Sequence, residues 1–248
     1  YPLRRQRQMC IRDRNITVRG KKKKLYNKNM ITTVIFDMDG LLFDTELIYF
    51  ECYKKAAQED GKTFPFELFE SCVGISREEA SRFMRQHFGP QADIARINSR
   101  TMEIVEEYLA ADGEINFRPG AKQAVEYFYN RGLKIGLASS NISKWARHFL
   151  TKKDIIKYFS AITTTDDVEH PKPDPEVYLK TAHKLQADVS QCLVFEDSVA
   201  GATAAISAGM RTCVVPQIKQ PNTFVRENAF KIYKSLADIY PDMDELLG

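Results

Sequence analysis

The chain has 248 residues, 44% of them hydrophobic, enough to bury one large core or a core with a small second domain. Its net charge of +3 is a composite: residues 1–29 carry 11 Lys and Arg against Asp13 alone, and residues 30–248 carry 25 basic against 32 acidic side chains. A nucleic-acid partner inferred from the charge would rest on the first 29 residues alone, so none is expected, and no apolar run reaches membrane length.

That first stretch, YPLRRQRQMCIRDRNITVRGKKKKLYNKN, has neither the apolar segment of a signal peptide nor helical periodicity. Its Lys21 to Lys24 run reads as a solvated charge cluster. The segment Met9 to Asp13, MCIRD, back-translates into a sequence resembling the transposon-end adapter of sequencing libraries, which makes residues 1–29 an unstructured extension and places the expected natural start at Met30. The five cysteines form no C-x-x-C pair, and the later four lie in apolar segments. They read as reduced core thiols of a cytoplasmic protein and not as a disulfide framework or zinc site.

From Ile31 to Phe36 a run of β-branched and aromatic residues reads as a buried parallel strand, stopped by Asp37 and Asp39 and turned by Gly40. Glu46 to Asp60, closed by Gly61, is an amphipathic helix, and helical patterns continue through Glu78 to Phe88 and Ile97 to Ala111 without a convincing strand. Residues 46–116 are therefore expected to form a small helical domain inserted between 30–45 and 117–248. Alternation then returns: helix Ala121 to Asn130, strand Leu133 to Ala138, a helix near Ile142 to Leu150, strand Ala161 to Thr163, helix Glu176 to Leu185 and strand Cys192 to Phe195. Helix Val199 to Ala208, strand Thr212 to Val215 and a last helix Ser235 to Leu247 complete the pattern. The fold class this implies is α/β, a doubly wound, Rossmann-like parallel sheet with right-handed crossovers and a helical insertion.

The polar groups gather just after the strands, at the edge where open α/β sheets bind ligands. Asp37 and Asp39, Ser139, Lys172 in HPKPDP and Glu196-Asp197 in CLVFEDS are the parts of a phosphoryl-transfer site. Carboxylates from two strand ends suit Mg²⁺, a hydroxyl and helix N-terminal N–H groups suit phosphate oxygens, and a lysine offsets charge on the transferred group. Taken singly, each has a plainer explanation in capping, turn formation or solvation. Four such features at one sheet edge are more economically one site.

The segments DMDG, LASSN, KPDP and FEDS, in that order from Met30 to about Leu247, resemble the haloacid dehalogenase-like (HAD) superfamily, and within it the β-phosphoglucomutase-like phosphatases with a helical cap. The resemblance implies that Asp37 is the nucleophile forming an aspartyl-phosphate and that Asp39 is the general acid and then base. It implies that Ser139, Ser140, Asn141 and Lys172 bind the phosphoryl group. It further implies Mg²⁺ held by Asp37, the Asp39 carbonyl and Asp197, with Glu196 close by. Pro171 stands where a small residue is expected before the lysine. In the insertion, Gly74 to Glu78, GISRE, resembles the substrate-specificity loop, which makes Arg77 a candidate contact to the far end of the substrate. Trp145 reads as packing.

The expected activity is hydrolysis of a small phosphorylated metabolite, a sugar or nucleoside phosphate, by a monomer. A phosphosugar mutase would share every core motif. Against it, Thr45 to Gln86 contains no His, and Tyr49 stands near where the mutases carry one. A dehalogenase would need neither Asp39 nor Mg²⁺, and a binding protein would be expected to lack one of the motif residues.

Overall fold

The computed structural model describes residues 30–73 and 77–248, with the side chain of Arg77 outside that description. Six strands form one all-parallel sheet in the order β3-β2-β1-β4-β5-β6. They are β1 (Thr33–Phe36), β2 (Lys134–Ala138), β3 (Ala161–Thr163), β4 (Cys192–Glu196), β5 (Arg211–Val214) and β6 (Lys231–Ile232). β1, TVIF, is buried along its whole length, as a strand with a neighbour on each side and helices on both faces must be. Phe36 stacks on Phe195 at 5.5 Å and Phe128 packs against both, so aromatic rings join the carboxyl-terminal halves of β1 and β4. The chain builds β1, β2 and β3 outward on one side, then returns to lay β4 against the other side of β1. That reversal places a crevice at the carboxyl ends of β1 and β4.

The first four helices after β1 form the insertion: α1 (Thr45–Glu59), α2 (Phe66–Cys72), α3 (Arg77–Phe88) and α4 (Ile94–Ala110). α1 and α4 pack lengthwise, with Arg100 of α4 holding Glu59 of α1 at 2.6 Å, and Tyr53 stacks on Phe64 at 5.2 Å. Asp93 caps α4 by accepting the Arg96 N–H at 3.0 Å. The chain enters and leaves this helical segment side by side: the Asp44 N–H donates to the Asn116 carbonyl and the Arg118 N–H to the Leu42 carbonyl, each at 2.9 Å.

The remaining helices, α5 (Ala121–Asn130), α6 (Ser143–Lys152), α7 (Glu176–Lys184), α8 (Val199–Ser207) and α9 (Thr223–Asn228), flank the sheet. The single helix expected over Ser235 to Leu247 is not formed. Two short 3-10 turns, Leu236–Asp238 and Tyr240–Asp242, precede α10 (Met243–Leu247), because Pro241 has no N–H to continue a longer helix. α9 and the edge strand β6 were not expected at all. Trp145 is buried as packing, and Cys52, Cys192 and Cys213 are buried free thiols with Cys72 partly exposed. Among the described residues no helix is long and apolar enough to cross a membrane.

Candidate active site

β1 ends at Asp37, whose backbone N–H donates to the Phe195 carbonyl at 3.0 Å, so its side chain leaves the sheet beside the end of β4. There the Lys172 ammonium bridges two carboxylates, donating to Asp37 Oδ1 at 2.6 Å and to Glu196 Oε1 at 2.7 Å, and it also donates to the Ala138 carbonyl at 3.0 Å. All three charged side chains are nearly fully shielded from solvent. Glu196 is held from behind by the Tyr178 hydroxyl at 2.8 Å, and by the N–H and hydroxyl of Ser198 at 2.9 and 3.0 Å. Ser198 is at the same time the N-cap of α8, bonding the Gly201 N–H. Gly201 is required here, since a Cβ would lie 1.5 Å from Glu196 Oε1.

Asp39 faces the other way. Its carboxylate accepts from the Ser139 hydroxyl and the Asn141 amide at 3.3 Å, and the Asn141 N–H donates back to Ser139 Oγ at 2.9 Å. Ser139 and Asn141 lie between the end of β2 and the start of α6, whose first N–H, that of Ser143, donates to Asp166 at 2.7 Å. Ser140, in the same turn, is exposed.

Asp37, Glu196 and Asp197 converge, each offering a carboxylate oxygen within 4.8 Å of the others. Three hard oxygen donors at this spacing fit Mg²⁺. The side chain of Asp39 is not part of that cluster, and its expected metal contact is through the backbone carbonyl. Gly40 sits beneath Asp197 with φ +81°, where a Cβ would lie 2.2 Å from Asp197 Oδ2. Gly40→Ala is therefore expected to displace that carboxylate, lowering stability by about 1–2 kcal/mol for the left-handed backbone alone. A divalent cation at this cluster should then bind more weakly. Thermal unfolding and a calorimetric Mg²⁺ titration check both.

Burial pushes Asp37 well above the usual carboxylate range, opposed by Lys172 and reinforced by Glu196 and Asp39. Asp197 is raised by burial and then by the Glu196 and Asp37 charges. Burial works against charge on Glu196 too, yet Lys172 outweighs it and holds that carboxyl below its ordinary value. Asp39 is raised by burial, opposed by the neighbouring Thr45 hydroxyl and by the hydrogen bonds from Asn141 and Ser139. Four carboxylates thus face one ammonium, and the surplus negative charge is what a divalent cation would neutralise. The wall above them is acidic as well. Glu46, in the first turn of α1, is raised to about 7 by burial, Asp39 and Asp44. The phenol of Tyr49, one turn on, lies within hydrogen-bonding reach of Asn141.

Residues 34–215 match the family model of the haloacid dehalogenase-like hydrolases. The chain belongs to that family. This HAD-like hydrolase is 33% identical over 177 residues to the phosphorylated carbohydrates phosphatase of Thermotoga maritima, covering 71% of this chain and 81% of that one. It is 32% identical to hexitol phosphatase B of Escherichia coli, over 77% of this chain and 86% of that one. Among solved structures, a Thermotoga maritima protein called a "putative beta-phosphoglucomutase" superposes with a TM-score of 0.71 at 29% identity, over 88% of this chain and all of the other. The protein is an enzyme, and with these relatives it stands among the phosphatases of the family.

In this HAD-like phosphatase the structure brings together Asp37, Asp39, Ser139, Asn141, Lys172, Glu196 and Asp197 at one sheet edge. Gly74 to Ser76 and the Arg77 side chain, read as the specificity loop, lie outside the described residues. Tyr178, Ser198, Gly201 and Glu46 went unread as site residues. Of these, Ser198 opening an apolar helix and Gly201 inside one carried a signal in the sequence, while Tyr178 sits in an ordinary helical pattern.

Proposed function

We propose that the chain is a Mg²⁺-dependent phosphatase acting on small phosphorylated metabolites, sugar or nucleoside phosphates, through an aspartyl-phosphate on Asp37. The observation that carries this is the Lys172 ammonium lying 2.6 Å from Asp37 and 2.7 Å from Glu196 beside the Asp37, Glu196 and Asp197 cluster. A carboxylate approaches a phosphate dianion only where positive charge offsets the repulsion. Asp37, Asp197, Glu196 and the Asp39 carbonyl would hold Mg²⁺, which supplies that charge when bound.

Asp37 then attacks phosphorus while the bond to the leaving oxygen breaks, and Asp39 delivers a proton to that oxygen. Its raised pKa suits it to hold the proton, and Ser139 and Asn141 orient it. In the second half, deprotonated Asp39 accepts a proton from water as the water oxygen attacks the phosphorus of the acyl phosphate, which frees Asp37 and releases inorganic phosphate. Lys172, Ser139, Ser140 and Asn141 would hold the phosphoryl oxygens throughout. In this reading 30–45 and 117–248 form the catalytic core and 46–116 the cap, with Arg77 reaching the hydroxyls or distal anion of the leaving group. The enzyme acts as a cytoplasmic monomer. Two relatives are named for phosphorylated carbohydrates and hexitols, which places phosphosugars and phosphopolyols first in a substrate panel.

Behind the mutase reading stand the likeness to structures bearing the mutase name and the mutase-like sequence GISRE at Gly74 to Glu78. Against it, Tyr49 occupies the position beside Asn141, where it offers a phenol and no imidazole. Incubation with β-glucose 1-phosphate and a trace of the bisphosphate separates the two. Phosphate release without glucose 6-phosphate is expected, and isomer formation outrunning phosphate release would overturn the hydrolase assignment.

A further inference from the structure

The segment after β5 ties the sheet edge to the helical insertion through side chains that the chemistry above does not use. The Gln217 amide donates to Asp44 Oδ1 at 2.6 Å, at the point where the chain leaves the core for α1. Ile218 packs against the main apolar core and anchors the segment. The Lys219 ammonium then crosses to the end of α2, donating to the Ser71 carbonyl at 3.2 Å and to the Val73 carbonyl. These are backbone acceptors at a helix C-terminus, where the last carbonyls have no partner within the helix and the helix dipole favours a cation. Val73 has already turned to an extended conformation, with φ −69° and ψ 135°, so its carbonyl is free to be claimed from outside. The same end of α2 is tied onward to α3, since the Cys72 thiol lies 3.7 Å from the Ala80 carbonyl.

We propose that Lys219 is a positioning residue that docks the end of α2 onto the strand-carboxyl edge and so holds the helical insertion over Asp37 and Asp39 in the arrangement that grips substrate. Sequence separation supports this assignment: Lys219 lies 146 residues from Val73, and its bonds join parts of the chain that helix propensity alone would not bring together. An insertion swinging away from the core would break both bonds, whereas solvent-exposed lysines elsewhere on the surface would be indifferent to the swing. The kinetic consequence rests on the phosphatase reading, but the docking itself does not.

Cys72 provides a readout whose sign separates the two roles Lys219 could have. Burial raises its thiol and the Lys219 charge lowers it, so a purely electrostatic neighbour, once removed, would leave less thiolate and slower alkylation. Loss of docking would uncover the end of α2 and make alkylation faster. The full chain would be pulsed with iodoacetamide and the Cys72 peptide read by mass spectrometry, with buried Cys52, Cys192 and Cys213 as internal controls for global unfolding.

In Lys219→Met, Cys72 is expected to label about fivefold to tenfold faster, the size expected for the net loss of one ordinary hydrogen bond. Lys219→Arg should restore the slow rate, and Lys219→Gln, which keeps a donor, should fall between. KM for the best hexose or hexitol phosphate should rise by a similar factor, with p-nitrophenyl phosphate turnover within about twofold of the parent. Unchanged or slower labelling in both Met and Gln variants overturns the proposal. Should the parent enzyme hydrolyse no phosphate ester, the phosphatase reading fails and the labelling still decides the docking.

Discussion

Asp37→Asn is expected to reduce phosphate release by about four to six orders of magnitude, the scale seen when a nucleophile is removed from a covalent mechanism. The amide matches the carboxylate in shape, so the fold should survive, but it is a poor nucleophile and a weaker Mg²⁺ ligand. Acid-quenched reactions of the parent should contain an acyl phosphate cleavable by hydroxylamine, and those of the variant should not. EDTA should abolish turnover of the parent, and Mg²⁺ should restore it. Turnover surviving either the substitution or the chelator would rule out the mechanism.

Lys172→Met should be the most destabilising single change at the site. The ammonium lies between two side chains with 7% and 0% relative exposure, and removing it leaves Asp37 and Glu196 facing each other without a counter-charge. Breaking one side of a buried ion pair costs about 3–5 kcal/mol, and losing the group that offsets phosphoryl charge should lower kcat by a further two to three orders of magnitude, as removal of one transition-state donor does. The pH dependence identifies the cause. Glu196 is held below its ordinary value in the folded protein, so its contribution is present above the unfolded carboxyl pKa of about 4.3 and is lost as pH falls through the lower folded value. The variant lacks that contribution, so its deficit against the parent should hold from neutrality down to the unfolded carboxyl pKa and shrink only below it. A deficit that does not shrink as pH falls below that value would instead assign the loss to the contact of the Lys172 ammonium with the Tyr178 ring.

What the sequence made legible follows how locally each feature is encoded. TVIF ending in Asp37 could be read because a fully buried central strand carries no charged position, and a carboxylate at its end has no packing purpose. Lys172 could be placed at the site by motif but not given its partners, since bridging Asp37 and Glu196 depends on three strand ends meeting. Tyr178, Gln217 and Lys219 were illegible for the same reason, each acting on a residue far away in the chain. β6 escaped because two residues carry no periodicity, and α9 because only the cap at Asn222, which accepts the Val225 N–H, announces it. The end of the chain was misread as one helix because its apolar spacing outweighed Pro241.

The order of the strands also has a consequence for the chain during synthesis. β1 emerges first, apolar on both faces, yet its neighbours β2 and β4 come far later; even Ser139, just past β2, is 100 residues beyond Asp39. At about 5–20 residues per second the ribosome leaves the TVIF segment without a strand partner for several seconds or more. The helical insertion follows at once, and its main contact, α1 against α4, lies within the insertion and can form before the sheet does. Nascent chains stalled before β2 should therefore carry folded α-helices beside an unpaired hydrophobic strand, the state in which this protein is most exposed to aggregation and to capture by chaperones.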